Sequence, residues 1–110
     1  MKTFLAVYSL LFFLLQASAQ NTSNEFYSRY TAAIEGGQIQ SAISIAEEWK
    51  DQYKSEINPF YFSAKALAKK GRRKDALQNL NKALAIDSTH IPSLIAIAEL
   101  SKKSSNNSSL

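Results

Sequence analysis

The residue types that most often carry out chemistry are densest at Asp87, Ser88 and His90. A carboxylate, a hydroxyl and an imidazole are the three groups of a catalytic triad, in which a base activates a nucleophile. The geometry of a triad depends on how the fold brings its members together, and adjacency along the chain does not provide it. Because these residues fall between two predicted helices, we interpret them as an interhelical turn.

Metal chemistry and paired-carboxylate chemistry have little support in the sequence. His90 is the only histidine and the chain has no cysteine, whereas a zinc site needs several such ligands. Glu47 and Asp51 stand four residues apart on a predicted helix with Lys50 and Lys54 nearby, a pattern typical of a solvated helix face. A glycine-rich phosphate loop is also missing from the sequence. We therefore expect no enzymatic activity, no metal site and no cofactor.

A cluster of basic residues is the most distinctive charged feature. It comprises Lys65, Lys69, Lys70, Arg72, Arg73 and Lys74, uninterrupted by any acidic residue. Residues 59–110 carry nine bases and three acids, whereas residues 20–58 carry three bases and six acids. One interpretation is a solvated turn whose cations complement the C-terminus of a helix. The other is a basic edge, formed by Lys70, Arg72, Arg73 and Lys74, that attracts an acidic peptide, a membrane surface or a glycan.

Five helices are predicted to carry these residues, and no strand is predicted. Apolar residues recur at steps of three and four, which is the spacing of one helix face. Gly36-Gly37 and Gly71 are expected to end the first and third helices, since glycine tolerates the left-handed conformation found there. Asn58 and Pro59 are expected to open the third helix as its N-cap and first helical residue. The apolar side of the fifth helix is predicted to comprise Ile91, Leu94, Ile95 and Ala98.

The first four helices repeat at a period of 34 residues. Three pairs of residues lie 34 positions apart: Phe26 and Phe60, Gly37 and Gly71, and Ala42 and Ala76. A fixed period indicates a stack of similar units, each too small to bury its own apolar face. We expect Phe60 to fill the space between hairpins, so that Phe60→Ala costs roughly 3–5 kcal/mol. The predicted units are residues 23–56, residues 57–90 and a capping helix at residues 91–103.

This pattern resembles the tetratricopeptide repeat (TPR) family, which has an aromatic near the start of each repeat, a glycine between paired helices and small residues where the helices cross. The matching residues are Phe26, Gly37 and Ala42 in the first copy, and Phe60, Gly71, Ala76 and Ala83 in the second. The first copy departs from the pattern at Trp49, where the family has a small residue. The resemblance implies an all-α fold: an α-α superhelix, or solenoid, of two helical hairpins with a C-terminal capping helix.

The resemblance also implies a binding surface, because ligands of the family commonly lie in the concave groove formed by the first helix of each pair. Carried over by position, this groove comprises Tyr27, Thr31, Tyr61, Lys65, Lys69 and Lys102, with Glu99 beside it. The expected ligand is a protein or peptide, including an acidic one. The alternative interpretation of the two tyrosines is packing between the hairpins.

Residues 1–19 have the composition of a secretory signal peptide. Lys2 supplies a positive charge, residues 4–15 are almost continuously apolar, and Ala17-Ser18-Ala19 fits a cleavage site. We expect cleavage after Ala19 and export to the periplasm or the exterior; an uncleaved anchor is the alternative. The remaining 91 residues suit one small domain at residues 24–103, with a polar lead at residues 20–23 and a disordered tail at residues 104–110.

The sequence therefore predicts an exported, non-enzymatic module that binds a protein or peptide through the concave face of its hairpins. The alternative is a structural unit that stacks end to end in a larger assembly, since so short a repeat array leaves exposed faces at both ends. Nucleic acid is not an expected partner of an exported chain. Membrane contact is expected only through an uncleaved signal segment or at the surface.

Overall fold

The computed structural model describes residues 22–108, and the side chains of residues 22–102. Within this range it contains helices only: α1 Ser23–Glu35, α2 Ile39–Gln52, α3 Ile57–Lys69, α4 Arg73–Ile86 and α5 Ile91–Ser108. The predicted all-α class is confirmed. The predicted signal peptide, its cleavage site and the first two residues of the polar lead lie outside the described residues.

The helix boundaries differ from the prediction at two places. Helix α3 begins at Ile57, and its N-cap is Glu56 instead of Asn58. Pro59 then occupies the third helical position, which tolerates proline because the first turn of a helix has no intrahelical partner for its N–H groups. Helix α5 extends to Ser108, five residues beyond the predicted capping helix, so that residues 104–108 are helical where the sequence predicted a disordered tail.

Two glycines form the turns inside the hairpins α1–α2 and α3–α4. Gly37 has φ 73° and Gly71 has φ 85°, in the left-handed region that glycine adopts without a steric cost. The backbone amide of the residue after each glycine donates to a carbonyl oxygen five residues earlier: Gln38 to Ala33 and Arg72 to Leu67, each at 2.8 Å. This is the Schellman closure of a helix C-terminus. The same turn therefore recurs 34 residues apart, as the sequence predicted.

A Gly71→Ala substitution is expected to lower the free energy of unfolding by about 1 kcal/mol, because a Cβ disfavours the left-handed conformation. No described atom lies within 4 Å of a Cβ placed at Gly71, so the loss comes from the backbone and not from a clash. Urea unfolding followed by circular dichroism measures the effect. Gly71→Asn is the control, since asparagine tolerates this conformation better, and equal losses for the two variants would contradict the explanation.

The helices pack against both the next helix and the next but one. Each helix contacts the next one along the chain, and α3 also contacts α5. Between α1 and α3, the Tyr30 hydroxyl donates to the Phe62 carbonyl oxygen at 2.8 Å. Between α2 and α4, Lys50 Nζ donates to Asn79 Oδ1 at 2.9 Å. Small residues allow this close approach: Ala42, Ala46, Ala66, Ala76 and Ala83 are fully buried.

Phe26 and Phe60 occupy equivalent sequence positions but differ in burial. Phe26 is fully buried, with the Trp49 ring stacked on it at a centroid distance of 6.3 Å. Phe60 is half-buried, and its ring lies 5.9 Å from Lys50 Nζ. The residue 34 positions after Trp49 is Ala83, which is too small to cover Phe60 in the same way. Phe60 therefore fills less of the space between the hairpins than predicted.

The apolar side predicted for α5 is not the side that faces the core. Ile91, Leu94 and Ile95 are 63%, 46% and 53% exposed, and Ala98 is exposed as well. The side that faces the other helices is formed instead by Ser93, Ala96, Ile97 and Leu100. The spacing of apolar residues could not identify this side, because α5 is apolar on nearly all sides in its first three turns.

Candidate functional site

A cavity of about 530 Å³ opens between α3 and α5, above α4. Two helix faces form its walls, because the lining residues of α3 and of α5 recur at steps of three and four. Helix α3 contributes Tyr61, Ala64, Lys65, Ala68 and Lys69; α4 contributes Leu80; and α5 contributes Pro92, Ile95, Ala96, Glu99 and Leu100. We call this cavity the α3–α5 pocket. Its size is in the range of pockets that bind small molecules or a few side chains of a peptide.

The α3–α5 pocket combines apolar walls with charged groups. Ala64 and Leu80 are buried in the core, whereas Lys65, Lys69 and Glu99 are exposed. Lys65 Nζ lies 5.5 Å from the centroid of the Tyr61 ring, within the range of a cation–π contact. Among the side chains that the structure describes, neither Lys69 nor Glu99 has a hydrogen-bond or ion-pair partner. These charges are therefore available to a ligand.

Tyr61 is held at the pocket by contacts with the start of α5. Its ring packs edge-on against the imidazole of His90 at a centroid distance of 5.4 Å. His90 Nδ1 is 2.7 Å from Ser93 Oγ, and the His90 carbonyl oxygen accepts from the amides of Ser93 and Leu94 in the first turn of α5. The histidine thus has a structural position at the helix N-terminus, where it orients one wall of the pocket.

The side-chain hydrogen bonds of Asp87 and His90 go to other partners, Thr89 and Ser93, and not to each other as in a triad. Asp87 Oδ1 accepts hydrogen bonds from Thr89 Oγ1 at 2.7 Å and from the Thr89 amide at 3.0 Å. These two hydrogen bonds hold the pKa of Asp87 below its usual value, and the bond from the hydroxyl has the larger effect. The interpretation of this segment as an interhelical turn is confirmed.

The structure brings together only part of the predicted groove. Of the predicted groove residues, Tyr61, Lys65 and Lys69 line the α3–α5 pocket, together with Glu99. Lys102 is exposed but does not line it.

Tyr27 and Thr31, the groove residues of α1, also lie away from the pocket. The Tyr27 ring packs edge-on against Phe62 at 5.2 Å and Trp49 at 6.5 Å, although almost half of its surface remains exposed. Thr31, one turn further along α1, is half-buried. The interpretation of Tyr27 as a residue that packs between hairpins is therefore closer to the structure than its assignment to a groove.

The lining residues that the sequence did not predict are Leu80, Pro92, Ile95, Ala96 and Leu100, together with the small residues Ala64 and Ala68. A signal for the α5 residues is present, since positions 92, 95, 96, 99 and 100 follow helical spacing. It could not be read in isolation, because the residues on the opposite side of α5 are equally apolar.

In the predicted basic edge, the two arginines have hydrogen-bond or ion-pair partners within the described residues and the two lysines do not. Arg72 Nε and Nη2 both contact Asp75 Oδ2, at 2.9 and 2.7 Å. Arg73 Nε donates to the carbonyl oxygen of Leu100, a pocket residue, at 3.2 Å. Lys70 and Lys74 are exposed and have no partner among the described side chains. Arg73 thereby places a cation beside Leu100, one of the residues that line the pocket.

Glu47 belongs to a polar network between the hairpins and not to a catalytic pair. Its Oε1 accepts from Lys50 Nζ at 2.7 Å and from Ser63 Oγ at 3.4 Å. Lys50 also reaches Asn79, so the network joins α2, α3 and α4. Asp51 is exposed and lies outside it.

The described residues lack the features of a metal site and of a membrane-spanning helix. They contain no group of three or more His, Asp or Glu side chains that could hold a metal ion. None of their helices is both long enough and apolar enough to cross a membrane.

No model of a known protein family matches the chain, and no curated protein matches it at a significant level.

Proposed function

We propose that this chain is a TPR-like repeat module, a short solenoid of two hairpins and a capping helix, that binds an acidic segment of another protein in the α3–α5 pocket. The observation that carries the proposal is the position of the pocket. It lies between α3 and α5, which are the opening helices of two successive units, where the resemblance to the family places the ligand. The module is non-enzymatic, and the composition of residues 1–19 supports its export.

The chemistry of the pocket supports an acidic ligand with an apolar anchor. Leu80, Ala64 and Ala96 offer an apolar floor on which one bulky side chain of a peptide can be buried. Lys65 and Lys69 stand one turn apart along α3, so each can donate to a carboxylate of an extended or helical segment.

The charges on the two walls favour one orientation of that segment. Glu99 stands on α5, across the pocket from the two lysines of α3. A carboxylate is attracted by the α3 wall and repelled by the α5 wall, so the acidic side of the ligand lies along α3. The excess of basic residues in residues 59–110 adds a general attraction for acidic partners.

The test uses displayed random peptides selected on the purified chain, followed by calorimetric titration of the enriched peptides. Lys65→Ala combined with Lys69→Ala is expected to weaken binding by about tenfold or more, because each lysine makes a charge-assisted hydrogen bond. Lys74→Ala combined with Lys82→Ala is the matched control, since these exposed lysines of α4 do not line the pocket.

Equal losses in both double variants would indicate general charge attraction and would contradict the pocket. Tyr61→Ala combined with Lys65→Ala provides a second measurement. It should weaken binding and leave the helical circular dichroism unchanged; an unchanged affinity would remove Tyr61 and Lys65 from the binding site.

A further inference from the structure

Among the described side chains, one acid in the basic part of the chain, residues 59–110, makes no hydrogen bond or ion pair. The acidic residues there are Asp75, Asp87 and Glu99. Asp75 Oδ2 accepts from Arg72, and Asp87 Oδ1 accepts from Thr89. Glu99 is the acid without such a contact, and it is also the acid that lines the α3–α5 pocket. Its carboxylate is therefore available to a cation of a ligand.

Glu99 stands opposite a lysine at the equivalent position of the repeat. It lies 34 residues after Lys65, so the two residues take the same place in successive units. Both line the α3–α5 pocket, Lys65 on the α3 wall and Glu99 on the α5 wall. The structure describes no ion pair between them, and Lys65 Nζ lies instead over the Tyr61 ring, 5.5 Å from its centroid. The pocket thus has a cation on one wall and an anion on the other.

We propose that Glu99 determines which acidic segments the pocket binds, by pairing with a lysine or arginine of the ligand. The acidic residue of the same ligand pairs with Lys65 or Lys69 on the opposite wall. This role of Glu99 rests on the proposed function and narrows its ligand to a segment that carries both charges. Discrimination arises because a purely acidic segment covers Glu99 without giving it a partner, whereas a segment with a base compensates for the lost water.

The two charges also fix the direction in which the ligand lies. Its acid contacts α3, its base contacts α5, and its apolar side chain covers Leu80 of α4 on the floor between them. A segment turned around would place like charges together on both walls, which is unfavourable. The ligand class is therefore an apolar residue with an acid on one side of it and a base on the other.

Displayed random peptides, selected in parallel on the natural chain and on Glu99→Gln, test this role. Peptides enriched on the natural chain should contain both acidic and basic residues more often than the starting library does. On Glu99→Gln the enrichment of Lys and Arg should disappear, while that of Asp and Glu persists because Lys65 and Lys69 are intact. Asp51→Asn is the matched control and should select the same peptides as the natural chain, because this exposed acid of α2 does not line the pocket.

Calorimetric titration of one enriched peptide, and of its variant with the base replaced by glutamine, completes a double-mutant cycle. Loss of the base should weaken binding to the natural chain by about fivefold, the upper range for a partly exposed ion pair, and leave binding to Glu99→Gln unchanged. Equal losses on the two chains would overturn the proposal, because the base would then not pair with Glu99. Tighter binding of the original peptide by Glu99→Gln would also overturn it, because Glu99 would then act by repulsion alone.

Failure of this role and failure of the proposed function give different results. Enrichment of Asp and Glu without Lys and Arg on the natural chain would overturn the role of Glu99 and leave the acidic ligand in place. Peptides without enriched acids, or normal binding by the Lys65→Ala and Lys69→Ala double variant, would contradict both. Since Glu99 is exposed, Glu99→Gln should keep the helical circular dichroism of the natural chain.

Discussion

Replacement of Trp49 by alanine is expected to lower the free energy of unfolding by about 3–5 kcal/mol, a large part of the total for a domain of this size. Trp49 lies on α2 and is 1% exposed. Its ring stacks on Phe26 of α1 at 6.3 Å and on Phe62 of α3 at 5.9 Å. A single side chain therefore joins the first hairpin internally and also joins it to the second. Its removal leaves a cavity at the junction of three helices, which rigid helix backbones cannot close.

The indole nitrogen adds a polar contact at the same junction. Trp49 Nε1 donates to Ser23 Oγ at 2.8 Å, and Ser23 Oγ donates to Glu56 Oε2 at 2.8 Å. This short chain connects α2 and the first residue of α1 with the N-cap residue of α3. Trp49→Phe retains an aromatic ring but loses the donor, so its loss of stability should lie well below that of Trp49→Ala.

Urea unfolding followed by far-ultraviolet circular dichroism measures both variants, since the fluorescence of the only tryptophan is lost with it. Phe60→Ala is the matched truncation in the second hairpin. Because Phe60 is half-buried, its loss should be smaller than the roughly 3–5 kcal/mol of a fully buried aromatic residue. If Phe60→Ala destabilises the protein as much as Trp49→Ala, the explanation that Trp49 contributes more because it joins three helices is wrong.

The features that the sequence predicted correctly are those set by neighbouring residues. Gly37 and Gly71 end their helices through local backbone geometry, and a 34-residue period is enough to locate both. The burial of Phe26 relative to Phe60 is set by contacts with residues more than twenty positions away. Trp49 was a departure from the family pattern in the sequence, whereas in the structure it is the residue that covers Phe26. Equivalent positions in a repeat therefore need not have equivalent surroundings.

In the candidate site, too, the features set by neighbouring residues could be predicted and those set by distant contacts could not. Tyr61, Lys65 and Lys69 lie one turn apart on one helix, so their common face was predictable from spacing alone. The opposite wall depends on which side of α5 meets α3, and the spacing in an evenly apolar helix does not distinguish that side from the others. Tyr27 is excluded from the pocket because its ring packs on Phe62, a contact between α1 and α3 that no local pattern specifies.

The stability of the protein is expected to fall in alkaline solution in a way that depends on Tyr30. This residue of α1 is 5% exposed, and its hydroxyl donates to the Phe62 carbonyl oxygen. Burial, with smaller contributions from Tyr61 and Tyr27, raises the pKa of Tyr30 from 10.0 to about 12. The folded state therefore holds the phenolic proton more tightly than the unfolded state. The associated stability is complete below pH 10 and is lost as the pH rises towards 12.

Tyr30→Phe separates this effect from the titration of other groups. Near neutral pH the variant should be about 1 kcal/mol less stable than the natural protein, because it lacks the hydrogen bond to α3. At about pH 11 the natural protein should have lost about 1.4 kcal/mol through Tyr30, whereas the variant has no proton to lose there. The two stabilities should therefore converge and cross near that pH.

Urea unfolding at a series of pH values measures the crossing. Gln78→Ala, a substitution at an exposed position of α4 that removes no phenol, is the control, and its curve should run parallel to that of the natural protein. Parallel curves for Tyr30→Phe and the natural protein would mean that the Tyr30 proton is held no more tightly in the folded state. Convergence would mean that the contact between α1 and α3 depends on a protonated phenol. The first two units of the repeat are joined by that contact.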